Sequence, residues 1–176
     1  MKNQNQDWLK EYSNFLNAEQ INVPHDLTTT VFTKINKLLH PSAVNVFFKI
    51  LGIHMITGFL SLAICNQFEL NPFNTSHSLA DVFMDWGGHG FCMLACGTLF
   101  ISLSILLAGF VLTIEETKAL RKTEFLQTLV LGLISIGLFM AVGAEVALTF
   151  GGLWMLGGLI GGFAATEILW QIKRTT

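Results

Sequence analysis

Charge is what this sequence has least of. Only 12% of its 176 residues are charged, about half the share of an average soluble domain. A soluble chain of this length must cover a large surface with polar groups, and this one cannot. Basic residues are also missing from two long stretches. None lies between Lys49 and Lys118, and none between Lys122 and Lys173. The net charge of −2 gives no bulk attraction to nucleic acid, so direct nucleic-acid binding is not expected. Three cysteines are too few for a disulfide framework. The opening MKNQNQDWLKEY has no apolar core and does not read as a secretory signal peptide. There is no HExxH, no phosphate-cradling glycine loop and no evident nucleophile–base pairing. The chain is therefore not expected to be an enzyme, unless a haem- or copper-dependent redox activity is built on its Cys and His residues.

What the sequence does have is apolar length. From about residue 46 onward its hydrophobic residues, 52% of the whole, gather in long blocks. A helix needs roughly 20 apolar residues to cross the hydrocarbon core. Four spans are expected, over about 46–65, 89–114, 125–148 and 150–172, with a tight turn at Thr149–Gly152 joining the last two. The expected fold is all-α: a four-helix transmembrane bundle over 46–176, preceded by a short amphipathic helical segment over 1–45.

Lysine and arginine set the expected orientation. Lys2, Lys10, Lys34, Lys37 and Lys49 precede or open the first span. Lys118, Arg121 and Lys122 sit between the second and third, and Lys173 and Arg174 follow the fourth. All ten fall on one side of a four-span layout, the cytoplasmic side by the positive-inside rule. The expected protein is a multi-pass protein of the inner (plasma) membrane with both termini in the cytoplasm. Trp86, Trp154 and Trp170 fall where an aromatic belt would place them.

The first 45 residues carry two helical patterns. Trp8, Leu9, Tyr12, Phe15 and Leu16 recur at helical spacing after Asp7. Leu27, Val31, Phe32, Ile35, Leu38 and Leu39 do so after Asp26, and His40-Pro41 ends the run. Two such helices bury no core alone. Their apolar faces need the bilayer surface or a cytoplasmic protein partner. Trp8, Tyr12, Phe15, Leu27, Val31, Phe32 and Ile35 are the candidate partner-binding residues. Gly157-xxx-Gly161 and Gly158-xxx-Gly162 in the last span favour close helix packing, within one bundle or in a homo-oligomer.

The chemistry-bearing residues concentrate at the other end. His89, Cys92 and Cys96 share one face of the second span, and Cys65 ends the first at the same membrane level. Imidazole and thiolate suit copper, zinc or haem iron. Glu145, near the outer end of the third span, is a fifth candidate ligand or an orienting partner for His89. The same thiols fit a reversible disulfide, or simple packing as small hydrophobes. His54, Glu145 and Glu167 are ionisable groups at membrane depth and offer an alternative reading, a small ion or solute transporter or channel acting as an oligomer. Leu79, Val82, Phe83 and Trp86 suggest a short interfacial helix capped by Ser76 or Ser78, with Gly87, Gly88 and Gly90 allowing a sharp entry into the second span.

The stretch INVPHDLTTTVFTKINKLLHPS, a proline-started amphipathic helix running into a span, joined to a multi-span part with exposed thiols, resembles small bacterial inner-membrane regulators of the anti-sigma-factor type. The resemblance implies a membrane-held regulator whose N-terminal helices bind a sigma factor and whose bundle senses a metal, redox or envelope signal. The zinc-binding His-xxx-Cys-xx-Cys signature of many such regulators is absent, since no cysteine precedes Cys65.

Overall fold

The computed structural model describes residues 4–17, 25–68 and 70–175. Six α-helices lie among them: α1 Gln4–Leu16, α2 His25–Leu39, α3 Ala43–Ser61, α4 Leu79–Ala108, α5 Ile114–Ala141 and α6 Leu148–Thr175. The chain divides into two compact units, Met1–Lys37 and Leu38–Thr176. In the first, the apolar stripes of α1 and α2 face outward. Trp8, Tyr12, Phe15, Leu27, Val31, Phe32 and Ile35 are all exposed.

Helices α3 to α6 are long and apolar enough to cross a bilayer. Their outer faces carry Phe48, Ile56, Leu133 and Ile160, exposed and apolar, as a lipid environment requires. The helices close a ring in which α3 and α6 each pack on both α4 and α5. The α4–α6 seam is the tightest. Gly157 lies against the Leu94 carbonyl, Gly161 against the Thr98 carbonyl and Gly97 against the Trp154 carbonyl, each too close to admit a Cβ. Thr98 Oγ1 donates to the Gly157 carbonyl across this seam, at 3.0 Å. Gly158 packs on Ile101 of α4 and Gly162 on Thr128 of α5. The small-residue stripe of the last span is thus used inside the bundle.

Helices α3 and α4 end about four and six residues before the expected spans, at Ser61 and Ala108, and larger differences lie at the two ends of α5. The third membrane helix begins at Ile114 rather than near 125. Thr113 caps it, accepting from Glu116 N at 3.3 Å, while Glu116 Oε2 accepts from Thr113 N at 2.9 Å. This reciprocal box starts the helix ahead of Lys118, Arg121 and Lys122, so these basic residues extend its first turns instead of forming a loop. Helix α5 ends at Ala141, and its connection to α6 falls at 142–147, before the Thr149–Gly152 turn expected. Gly143, at φ 95°, adopts the left-handed conformation. Its N–H reaches the Met140 carbonyl, and Ala144 N reaches the Phe139 carbonyl. That pair of bonds is a Schellman stop, which the apolar sequence around it conceals.

Candidate functional site

Two devices bring the cysteines together at the end of the bundle that carries no basic residue. After α3 the chain continues in tight turns, Leu62 N to Phe59 O and Cys65 N to Ser61 O, and is tied to the start of α4 by Leu79 N to Ile64 O. Gln67 and Phe68 then plug inward. Trp154, the largest fully buried side chain, donates its indole N–H to Gln67 Oε1 at 2.5 Å and stands among Phe68, Phe100 and Phe139. Trp154 is therefore a core anchor rather than a member of an aromatic belt. Its polar edge is satisfied by a residue 87 positions earlier in the chain. The second device is Gly88 (φ 71°, ψ −171°), which breaks α4 into a short outer helix and the long helix that carries Cys92 and Cys96. Ser78 caps the outer helix, its N–H bound to Asp81 Oδ2 at 2.8 Å.

The result is a cluster of three buried thiols. Cys65 Sγ stands 2.6 Å from Cys96 Sγ, and Cys96 Sγ stands 4.0 Å from Cys92 Sγ. Cys92 Sγ also points at the Ala80 carbonyl, at 3.4 Å. The cysteines are 4%, 1% and 1% exposed, so the thiols expected to be exposed are enclosed. The Cys65–Cys96 pair is at bond-forming range. It is also closer than two ligands of one ion, because two sulfurs each about 2.3 Å from a tetrahedral metal stand well over 3 Å apart.

The other two candidate ligands are placed elsewhere. His89 is exposed and packs on the Phe150 ring, centroids 5.0 Å apart. Glu145 is exposed in the α5–α6 connection. His89 follows the break at Gly88 and keeps helical register with Cys92 and Cys96, but at the start of the long helix its ring is exposed beside Phe150 instead of joining the buried thiols. Among the described residues no group of three or more His, Cys, Asp or Glu side chains is arranged to hold a metal ion.

A second polar feature was not legible in the sequence beyond its central residue. His54, 2% exposed, bridges three helices: Nδ1 meets Ser104 Oγ of α4 at 2.8 Å, and Nε2 meets Ser135 Oγ of α5 at 2.7 Å. Thr57 Oγ1 meets the same Ser104 hydroxyl at 2.9 Å. Each of the three hydroxyls also reaches a carbonyl of its own helix: Thr57 that of Ile53, Ser104 that of Phe100, Ser135 that of Leu131. His54 and Ser135 form the polar floor of a cleft of about 510 Å³ between α3 and α5. Its walls are apolar and include Met55, Phe59, Leu138 and Phe139, and Leu70, Asn71 and Pro72 close its end.

The ionisable groups of the transport reading occupy separate surroundings. His54 lies in this network and Glu145 in the connection. Glu167 is paired with Arg121 at 2.6 Å, with the Arg121 guanidinium over the Trp170 ring. Lys49 bridges to Glu116 at 2.6 Å, and Lys173 donates to the Leu112 carbonyl, so the basic end of the bundle is cross-tied.

No protein-family model matches the chain, and neither a curated protein nor a solved structure is similar to it.

Proposed function

We propose that this chain is a membrane-embedded regulator that senses thiol oxidation and passes the signal to a cytoplasmic partner held by its N-terminal helices. The observation that carries the reading is the Cys65–Cys96 pair, 2.6 Å apart and buried, with a third thiol 4.0 Å away. Placed by the positive-inside rule, the end bearing Lys49, Lys118, Arg121, Lys122, Lys173 and Arg174 is cytoplasmic, and so are both termini. The thiol cluster then belongs to the outer half of an inner-membrane protein, facing a compartment where disulfides persist.

The chemistry balances with a hydroperoxide as oxidant. Two thiols and one hydroperoxide give one disulfide, one water and the corresponding alcohol, and a dithiol reverses the bond. Closing it ties the segment after α3 to the middle of α4. The other end of α3 joins α2 through only His40, Pro41 and Ser42, so a shift of α3 is carried along the chain to the helix bearing Leu27, Val31, Phe32 and Ile35. The exposed faces of α1 and α2 suit a helix-binding protein, and the anti-sigma-factor resemblance names a sigma factor as the class to test first.

The thiol pair is favoured over a copper, zinc or haem site because the other candidate ligands, His89 and Glu145, are exposed and lie apart from the buried thiols.

The test uses the full chain in native membranes, treated with hydroperoxide or with dithiothreitol, then denatured and labelled with a maleimide polymer. The reduced protein takes three labels and the oxidised protein one, and Cys92→Ser leaves the loss of two labels intact. Crosslinked partners are recovered from both states. Full labelling after oxidation removes the thiol switch. Partner recovery that does not differ between the two states removes the regulator.

A further inference from the structure

The cleft at His54 has a chemistry of its own, independent of the thiols. Its walls are apolar, and Met55, Phe59, Leu138 and Val142 on its rim are exposed on the lipid-facing side of α3 and α5. Its volume of about 510 Å³ lies in the range of small-molecule sites. Its floor is built from two buried polar side chains, His54 and Ser135.

The floor is short of protons. A neutral imidazole carries one N–H and each hydroxyl one O–H. If Thr57, Ser104 and Ser135 donate to their own helix carbonyls, the single imidazole proton serves one of the contacts His54–Ser104 and His54–Ser135, and Thr57–Ser104 is left with none. Turning a hydroxyl to repair one of these contacts removes its bond to the carbonyl. The site is thus rich in acceptors and poor in donors, and a ligand bringing an O–H into the cleft meets a waiting acceptor on Ser135 or His54. A head that only accepts meets no free donor on this floor while the hydroxyls serve their own helix carbonyls. Water does not favour the apolar walls above the floor, whereas a molecule arriving through the bilayer satisfies both.

We infer that the cleft between α3 and α5 is a binding site for a lipophilic alcohol, an apolar body carrying one hydroxyl that donates to the Ser135–His54 floor. The occupant enters sideways from the bilayer between Met55 and Phe59 on one wall and Leu138 and Val142 on the other.

The experiment photolabels the full chain in lipid nanodiscs with a long-chain alcohol bearing a diazirine in its tail, and adducts are mapped by peptide mass spectrometry. Adducts are expected to concentrate on Met55, Phe59, Leu138 and Val142, over the equally lipid-exposed Phe48, Ile56, Leu133 and Ile160. Unlabelled 1-dodecanol competes for the labelling. Dodecyl methyl ether, which accepts but cannot donate, and dodecane both compete about fivefold less well at equal bilayer mole fraction, the effect of one neutral hydrogen bond. Met55→Trp fills the cleft from its lipid-facing rim without altering the buried network, and is expected to abolish the preferred labelling. Ser135→Ala, if it folds, abolishes the advantage of alcohol over ether. Uniform labelling around the bundle overturns the site. Preferred labelling in which alcohol, ether and alkane compete alike overturns the donor chemistry.

Discussion

Replacing Gly157 by alanine adds one methyl group, and the structure makes that methyl intolerable. Its Cβ would overlap the carbonyl oxygen, carbonyl carbon and Cα of Leu94, and would stand more than an ångström inside ordinary contact with the oxygen. All three atoms are backbone, so no rotamer change relieves the overlap. Helices α4 and α6 must part locally. A gap of about 0.5–1 Å forfeits a quarter to a half of each dispersion well it opens. The Thr98 Oγ1 to Gly157 carbonyl bond stretches with it, at about 0.6 kcal/mol for such a bond in a membrane bundle. With the usual overpacking cost of about 1–3 kcal/mol, the expected destabilisation is about 2–4 kcal/mol. The control is Gly137→Ala in α5, where the added Cβ meets nothing within 4 Å. There the gain in helix propensity operates alone, and the variant is expected to be more stable by about 0.5–1 kcal/mol. Steric-trapping or denaturant titration in bicelles reads both variants against the parent. Equal effects of the two substitutions would refute the α4–α6 seam as drawn, because only that seam distinguishes the sites.

Two further substitutions probe single features. Trp154→Phe keeps most of the ring volume but leaves the buried Gln67 carbonyl without its donor, and the same titration should show a loss of about 1–3 kcal/mol. A loss within error would mean that Gln67 finds another partner and does not plug the bundle end. Gly143→Ala places a Cβ on a residue at φ 95° and should cost about 1–2 kcal/mol. No loss there would place the end of α5 somewhere other than at this stop.

The long apolar blocks and the glycine spacing of the last span were enough to place four membrane helices and one close seam, because hydropathy and small-residue spacing are local signals. The short outer helix from Leu79 and its break at Gly88 were legible for the same reason. The start of α5 was concealed by its charges. Lys118, Arg121 and Lys122 look like a loop, yet Thr113 and Glu116 hold the capping pattern that starts the helix ahead of them, and the glutamates within it pair with lysines. Trp154 looked interfacial because its depth along α6 is that of an interface. Its burial depends on Gln67 and Phe68 folding back from another segment, which nothing within α6 encodes. The thiol pair was legible in part, since span lengths put Cys65 at the membrane level of Cys92 and Cys96, but the contact itself was not. Cys65 and Cys96 are 31 residues apart and meet only because the turns after Ser61 return the chain to α4. His89 shares the helical register of Cys92 and Cys96, but register along one helix does not say which turns are covered: His89 in the first turn after Gly88 is exposed, and Cys92 and Cys96 in the next two are buried.

The thiol pair and the His54 cleft share one wall but not one fate. Phe100 lies one turn beyond Cys96 on α4, packs edge-on against the His54 ring at 5.1 Å, and lines the cleft while also touching Trp154 and Phe139. A bond drawn between Cys65 and Cys96 therefore acts on α4 next to the residue that shapes the cleft, and an occupant of the cleft acts on the same ring from the other side. Neither sulfur lines the cleft, and neither His54 nor Ser135 touches a sulfur. Loss of the switch would leave the floor and walls of the cleft in place. An empty cleft would leave the two thiols at bond-forming range. Coupling between them, if photolabelling changes between oxidised and reduced protein, runs along α4, because that helix carries Cys96 to the thiol pair, Phe100 to the cleft wall and Ser104 to the His54 ring.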